Sequence, residues 1–75
     1  MQLSDAIKMT RQKAFLSQEA FAKVINVSVS TINRWETGKA KPNLSAMKKV
    51  KEFCEQRQLS YCDIETAWFE KSGEE

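Results

Sequence analysis

Histidine is absent from this 75-residue chain, which also holds only two cysteines, two glycines and one proline. Without histidine, Cys54 and Cys62 lack partners for a zinc site, and a cysteine nucleophile lacks its usual base. The two thiols are therefore read as buried or idle. There is no glycine-rich phosphate loop and no acidic pair at an obvious cleft position, so neither an enzyme nor a metal or small-molecule cofactor is expected. No apolar run approaches about 18 residues, and no charged-then-apolar leader ends in small residues. Both absences argue against membrane insertion or export and predict the cytosol as compartment.

Hydrophobic residues make up 41% of the chain and charged residues 29%, which suits one domain and leaves no room for two. A chain this short buries about 60–65% of the surface it exposes when unfolded, so stability is modest and dimerisation can add to it. The net charge of +2 conceals a division. Residues 1–51 carry ten Lys/Arg against three acids, for +7, whereas residues 52–75 carry two against seven, for −5. One end attracts phosphate and the other repels it, as in a nucleic-acid binder with a separate tail function. On charge alone, the plainer reading that these side chains solvate helices stays open.

The punctuation clusters at Gly38 and Pro42, and the rest reads as helix. Leu3, Ile7 and Ala14 set a first helix over about residues 3–13. Ser17 offers an N-cap for a second helix with Phe21, Ala22 and Ile25 inward. Asn26 tolerates the left-handed turn that ends it. Ser28 caps a third helix that runs to about Thr37 with Ile32 and Trp35 on its buried side, and Gly38 sits where a left-handed C-terminal residue is wanted. Lys39 to Pro42 form a basic loop. Asn43 caps a fourth helix whose Leu44, Met47, Val50 and Cys54 repeat as an inward stripe widened by Phe53. Ser60 and Asp63 fit a capping box before a short fifth helix carrying Ile64, Ala67, Trp68 and Phe69, and Ser72 to Glu75 are expected to fray.

Residues 18–37, QEAFAKVINVSVSTINRWET, have the spacing of two crossed helices. Such a pair needs a small residue at the close approach, here Ala22, and an apolar wedge, here Phe21, Ile25, Val27, Ile32 and Trp35. Leu-Ser-Gln at 16–18, Val-Ser at 27–28, Ser-Thr-Ile at 30–32, Arg-Trp-Glu at 34–36, Gly38 and Lys-Pro at 41–42 resemble the XRE family of phage-repressor and Cro-like domains over roughly residues 3–59. Two positions depart from the family pattern: Asn26 stands where glycine is usual, and Thr10 where an apolar residue is common.

The resemblance implies an all-α, five-helix lambda-repressor-like fold. Residues 1–59 would form the helix-turn-helix DNA-binding domain, with its core at 18–37, and residues 60–75 a C-terminal helix and short tail. It also implies a third helix in the major groove of double-stranded DNA. Val29, Ser30, Thr31, Asn33 and Arg34 are then the candidates for base readout, with Gln18 serving as base contact, phosphate contact or brace. Arg34 can donate two hydrogen bonds to a guanine edge, Asn33 can read adenine, and Val29 or Thr31 can meet a thymine methyl. Ser17, Ser28, Thr37, Lys39 and Lys41 are candidates for phosphate. Arg11 and Glu36 occupy the positions of a structural ion pair in relatives, which makes Glu36 scaffold rather than DNA contact.

Tyr61, Ile64, Trp68 and Phe69 exceed what a tail requires. They either cap the core or form a two-fold dimer contact, a third reading having them bind a different protein. The expected function is sequence-specific DNA binding by a transcriptional regulator, a repressor or autoregulator before an activator. The competing function is a protein-interaction or antitoxin module that recruits a partner such as a toxin through the acidic end.

Overall fold

The computed structural model describes residues 1–73. Among them are five helices and no strand: α1 Leu3–Lys13, α2 Gln18–Val24, α3 Val29–Glu36, α4 Leu44–Gln56 and α5 Cys62–Gly73. Side-chain oxygens open three of them. Ser17 Oγ accepts from the Ala20 N–H and Ser28 Oγ from the Thr31 N–H, each at 3.1 Å, and Asn43 Oδ1 accepts from the Ala46 N–H at 2.8 Å. Each bond satisfies a donor that the first turn leaves without a helical partner.

The fifth helix departs from expectation. Ser60 Oγ accepts from the Cys62 N–H at 3.3 Å rather than from Asp63. The helix begins at Cys62, one residue too late for a capping box opened by Ser60, so the hydroxyl closes a turn before the helix instead. Nor is α5 short, at 12 residues. It includes Ser72 and Gly73, where fraying was expected, while Glu74 and Glu75 lie outside the described residues.

Four helices end in one backbone motif. After α1 the Phe15 N–H donates to Gln12 O and the Leu16 N–H to Arg11 O; the same two bonds recur at Asn26 and Val27, at Gly38 and Lys39, and at Gln58 and Leu59. The first residue of each pair is left-handed, with φ of 59°, 58°, 78° and 57°. Only Gly38 takes that conformation without a Cβ penalty, which for an L-residue amounts to about 1–2 kcal/mol. At the three strained ends the next residue, Leu16, Val27 or Leu59, is apolar and packs half-buried against the core. At the glycine end it is the exposed Lys39. The apolar contact that usually accompanies this motif thus offsets strain where there is strain to offset. Gln58→Gly is accordingly expected to raise stability by up to about 1 kcal/mol, read as a higher thermal midpoint. A midpoint that stays level or falls would mean that backbone freedom gained by the unfolded chain outweighs the relieved strain.

The core joins all five helices through Ile7, Phe21, Ile32, Val50 and Ile64, each 1% exposed or less. Phe21 of α2 meets Phe53 of α4 edge-on, with ring centroids 5.0 Å apart. Thr10 is accommodated in the buried face of α1 by donating its hydroxyl to Ala6 O at 2.9 Å, so no polar group is stranded. Cys54 is buried and its thiol is pushed up to about 11, by burial first and by Glu55 second, which keeps it protonated at neutral pH. Leu44 corrects the expected stripe on α4, because it is 74% exposed and Ala46 takes the inward place. At about 100° per residue, Leu44 points roughly 120° away from the mean direction of Ala46, Met47, Val50, Phe53 and Cys54.

Ile64 and Ala67 bury α5 against the same core. Above them the Trp68 indole N–H donates to Pro42 O at 2.7 Å, and the Tyr61 hydroxyl donates to Met47 O at 3.3 Å. The last helix therefore pins the segment that joins α3 to α4.

Candidate nucleic-acid interface

One side of α3 is committed to the core and the other is not. Ile32 and Trp35 are buried, whereas Val29, Ser30, Asn33 and Arg34 are exposed and Thr31 is half-buried at the margin. This division follows from the sequence, since positions 29, 30, 33 and 34 lie opposite 32 and 35 at helical spacing. Of the side chains expected to read bases from α3, Val29, Ser30, Asn33 and Arg34 therefore share one solvent-facing surface, on the half of the chain that carries +7, with Thr31 at its margin.

The orientation of α3 is held from its C-terminal end. Arg11 Nε donates to Glu36 Oε2 at 2.7 Å and Arg11 Nη2 to Oε1 at 2.9 Å, a two-pronged pair whose Arg11 side chain is 12% exposed and Glu36 side chain 3%. Arg11 Nη1 donates further to Leu16 O at 2.8 Å. Hydrogen bonding to Glu36 is the main cause of an upward shift in the Arg11 pKa, against the opposing effect of burial. Gln18 completes the cluster by donating its amide Nε2 to Glu36 Oε1 at 3.1 Å. One carboxylate thus fastens α1, the start of α2 and the last residue of α3 together. Of the three roles open to Gln18, the brace is the one this geometry carries, and its amide oxygen and second N–H are left for solvent or DNA.

The candidate phosphate residues fall into different situations. Ser17 uses an oxygen lone pair as N-cap and keeps a hydroxyl proton to donate. Ser28 and Thr31 share a hydroxyl bond of 2.8 Å, so the pair has one further proton to offer. Thr37 donates its hydroxyl to Asn33 O at 2.9 Å and must break that bond to reach a phosphate. Lys39 is exposed beyond Gly38. Lys41 is half-buried, with its ammonium 4.9 Å from the centre of the Trp68 ring, a cation–π distance.

A shallow concavity beside α3 brings Thr31 and Lys41 together with Asn43, Ser45 and Lys49. Sequence reasoning did not include the last three. The available signal was the spacing of Ser45 and Lys49, four residues apart and so on one face of a helix whose open N-terminus favours anions.

Tyr61, Ile64, Trp68 and Phe69 divide in the same way. Ile64 is taken wholly by the core, Tyr61 and Trp68 are half-buried and hydrogen-bonded to backbone, and Phe69 remains 61% exposed. Among the described residues no helix is long and apolar enough to cross a membrane, and no group of three or more Cys, Asp or Glu side chains is placed to hold a metal ion.

The sequence is similar to that of a known protein and to a family model. The HTH-type transcriptional activator BcrR of Enterococcus faecalis is 32% identical over 53 residues, covering 71% of this chain and 26% of BcrR. The chain thus spans about a quarter of that relative's length. No solved structure matches it. The family model described as helix-turn-helix matches residues 7–61, from the middle of α1 to the turn before α5. The chain belongs to the XRE-type helix-turn-helix family of DNA-binding transcription regulators.

Proposed function

We propose that this chain recognises a specific double-stranded DNA sequence by seating α3 in the major groove, and that it regulates transcription by occupying that site. The observation that carries this reading is the exposed face of α3, with Arg34 and Asn33 presented on a helix whose tilt is fixed by the Arg11–Glu36 pair. Ser17, Lys39 and the concavity holding Lys41 and Lys49 flank that face as backbone contacts, which position the protein without reading sequence. Selection from randomised duplexes is expected to enrich one motif. Uniform recovery of all sequences would sink the reading in favour of non-specific charge attraction.

Occupancy of a site that overlaps a promoter represses without further contacts, so repression or autoregulation is the simplest outcome of binding. BcrR, by its name, is an activator, and a reporter carrying the selected motif distinguishes the two signs.

A second observation favours a two-fold dimer. Leu44 and Phe69 are exposed beside Met47, Tyr61 and Trp68 in an apolar groove between α4 and α5, edged by Lys48 and Lys51 on one side and Glu65 on the other. Apposing two such grooves about a dyad sets the lysines of each copy against Glu65 of its mate. The selected motif is then expected to contain two half-sites about one helical turn, roughly 34 Å, apart. Leu44→Glu with Phe69→Lys should convert a sedimenting dimer to a monomer without unfolding it. A wild type that binds its motif as one chain per site would end the dimer proposal and leave the groove to a different protein, such as a toxin.

A further inference from the structure

The turn between α1 and α2 holds a side chain that the free domain does not use. Phe15 is 95% exposed and left-handed, with φ of 59°. Asn26 and Gln58 share that conformation, but both are polar and suited to water. Among the described residues Phe15 alone combines a strained backbone with a large apolar group held in solvent, and such an outlier directs attention to function.

Its position is fixed. Arg11 O accepts from the Leu16 N–H at 3.3 Å and Arg11 Nη1 donates to Leu16 O at 2.8 Å, so the residue after Phe15 is gripped from both sides. The same arginine binds Glu36 at the end of α3, and Ser17, two residues on, caps α2. Phe15 therefore lies in the turn two residues before the N-cap of α2 and next to the residue that Arg11 ties to the end of α3, close in the chain to Ser17, which is proposed above as a DNA-backbone contact.

We infer that the Phe15 ring packs against a deoxyribose of the bound duplex, as a positioning contact that does not read sequence. This inference rests on the DNA-binding reading above. Between phosphates the backbone presents the C–H surface of the sugar, which an exposed ring carried on a hydrogen-bonded turn can cover. Packing of Leu16 offsets the strain of the turn within the fold, so it is the exposure of the ring that binding explains.

The test compares wild type, Phe15→Ala, Phe15→Gly and Gln58→Gly by thermal melting and by titration against the selected duplex and a single-mismatch duplex at several salt concentrations. Both Phe15 variants are expected to bind about fivefold more weakly, to match and mismatch alike. The slope of log affinity against log salt should stay at the wild-type value, because an apolar contact releases no counterion. Phe15→Gly should melt above Phe15→Ala, since glycine relieves the turn. Gln58→Gly should bind as wild type does, showing that relief of such a turn does not by itself alter affinity.

Wild-type affinity in both Phe15 variants would overturn the inference while leaving the DNA reading intact. So would a loss confined to Phe15→Gly, which would assign the effect to loop stiffness, or a flattened salt slope, which would assign it to phosphate. Failure of the wild type to select any duplex would overturn the DNA reading and this inference with it.

Discussion

Glu36→Ala is expected to lower the free energy of unfolding by about 3–5 kcal/mol, the largest effect of any single change outside the hydrophobic core. The carboxylate is 3% exposed and receives three hydrogen bonds, two from Arg11 and one from Gln18. Its removal leaves the Arg11 guanidinium, 12% exposed, with the Leu16 carbonyl as its remaining partner. Arginine cannot shed its proton to escape burial, so the desolvation cost stays. Domains have about 5–15 kcal/mol of stability in all, and a chain of this size belongs near the lower end. The variant should therefore be partly unfolded at ambient temperature and lose DNA binding as a consequence.

Glu36→Gln separates charge from shape, because it keeps an acceptor for Arg11 while discarding the ionic attraction, and it should fall between wild type and alanine. Replacing both partners by apolar residues of similar volume should recover part of the loss, since no charge is then left buried. Thermal and urea melts decide the matter. An unchanged midpoint accompanied by lost DNA binding would show that Glu36 touches DNA instead of holding α3 in place.

The α2–α3 unit around this pair could be read before any coordinates because it rests on local rules, whereas the pair itself, 25 residues apart, was implied by the family resemblance. N-cap preferences placed Ser17, Ser28 and Asn43, and helical spacing placed Ile32 and Trp35 inward, all as found. Asn26 and Gly38 could be assigned left-handed turns because their residue types favour them. Phe15 and Gln58 could not, because neither type favours that region, and the cue was instead the apolar residue that follows each. Leu44 misled because one apolar residue at the edge of a stripe satisfies a three-residue spacing while pointing elsewhere. The seating of Lys41 over Trp68, and of Trp68 on Pro42, joins residues 26 and 27 positions apart, and no local pattern encodes such a contact. The loop after α3 thus depends on the last helix, a dependence visible only in the folded chain.

Arg34→Ala is expected to relax specificity at one base pair, costing about 1–3 kcal/mol on the matched duplex and little on a duplex already mismatched there. Arg34 lies one turn beyond Ser30 on the exposed side of α3, where a guanidinium can meet guanine O6 and N7 together. Lys39→Ala should instead weaken all duplexes alike, because Lys39 extends from the loop after Gly38 and has only backbone charge to meet. The two effects also differ in their salt dependence. A lost phosphate contact reduces the slope of log affinity against log salt by about 0.9, while a lost base contact leaves it nearly unchanged. Lys41→Ala is expected to behave as Lys39→Ala does in binding but also to lower the thermal midpoint, since the Lys41 ammonium packs on the Trp68 ring in the free domain. Titrating the three variants against matched and single-mismatch duplexes over a range of salt measures both quantities together. If Arg34→Ala lowers affinity equally for every duplex and flattens the slope, Arg34 holds phosphate. Base recognition would then pass to Val29, Ser30, Thr31, Asn33 or the amide groups of Gln18 that Glu36 does not engage.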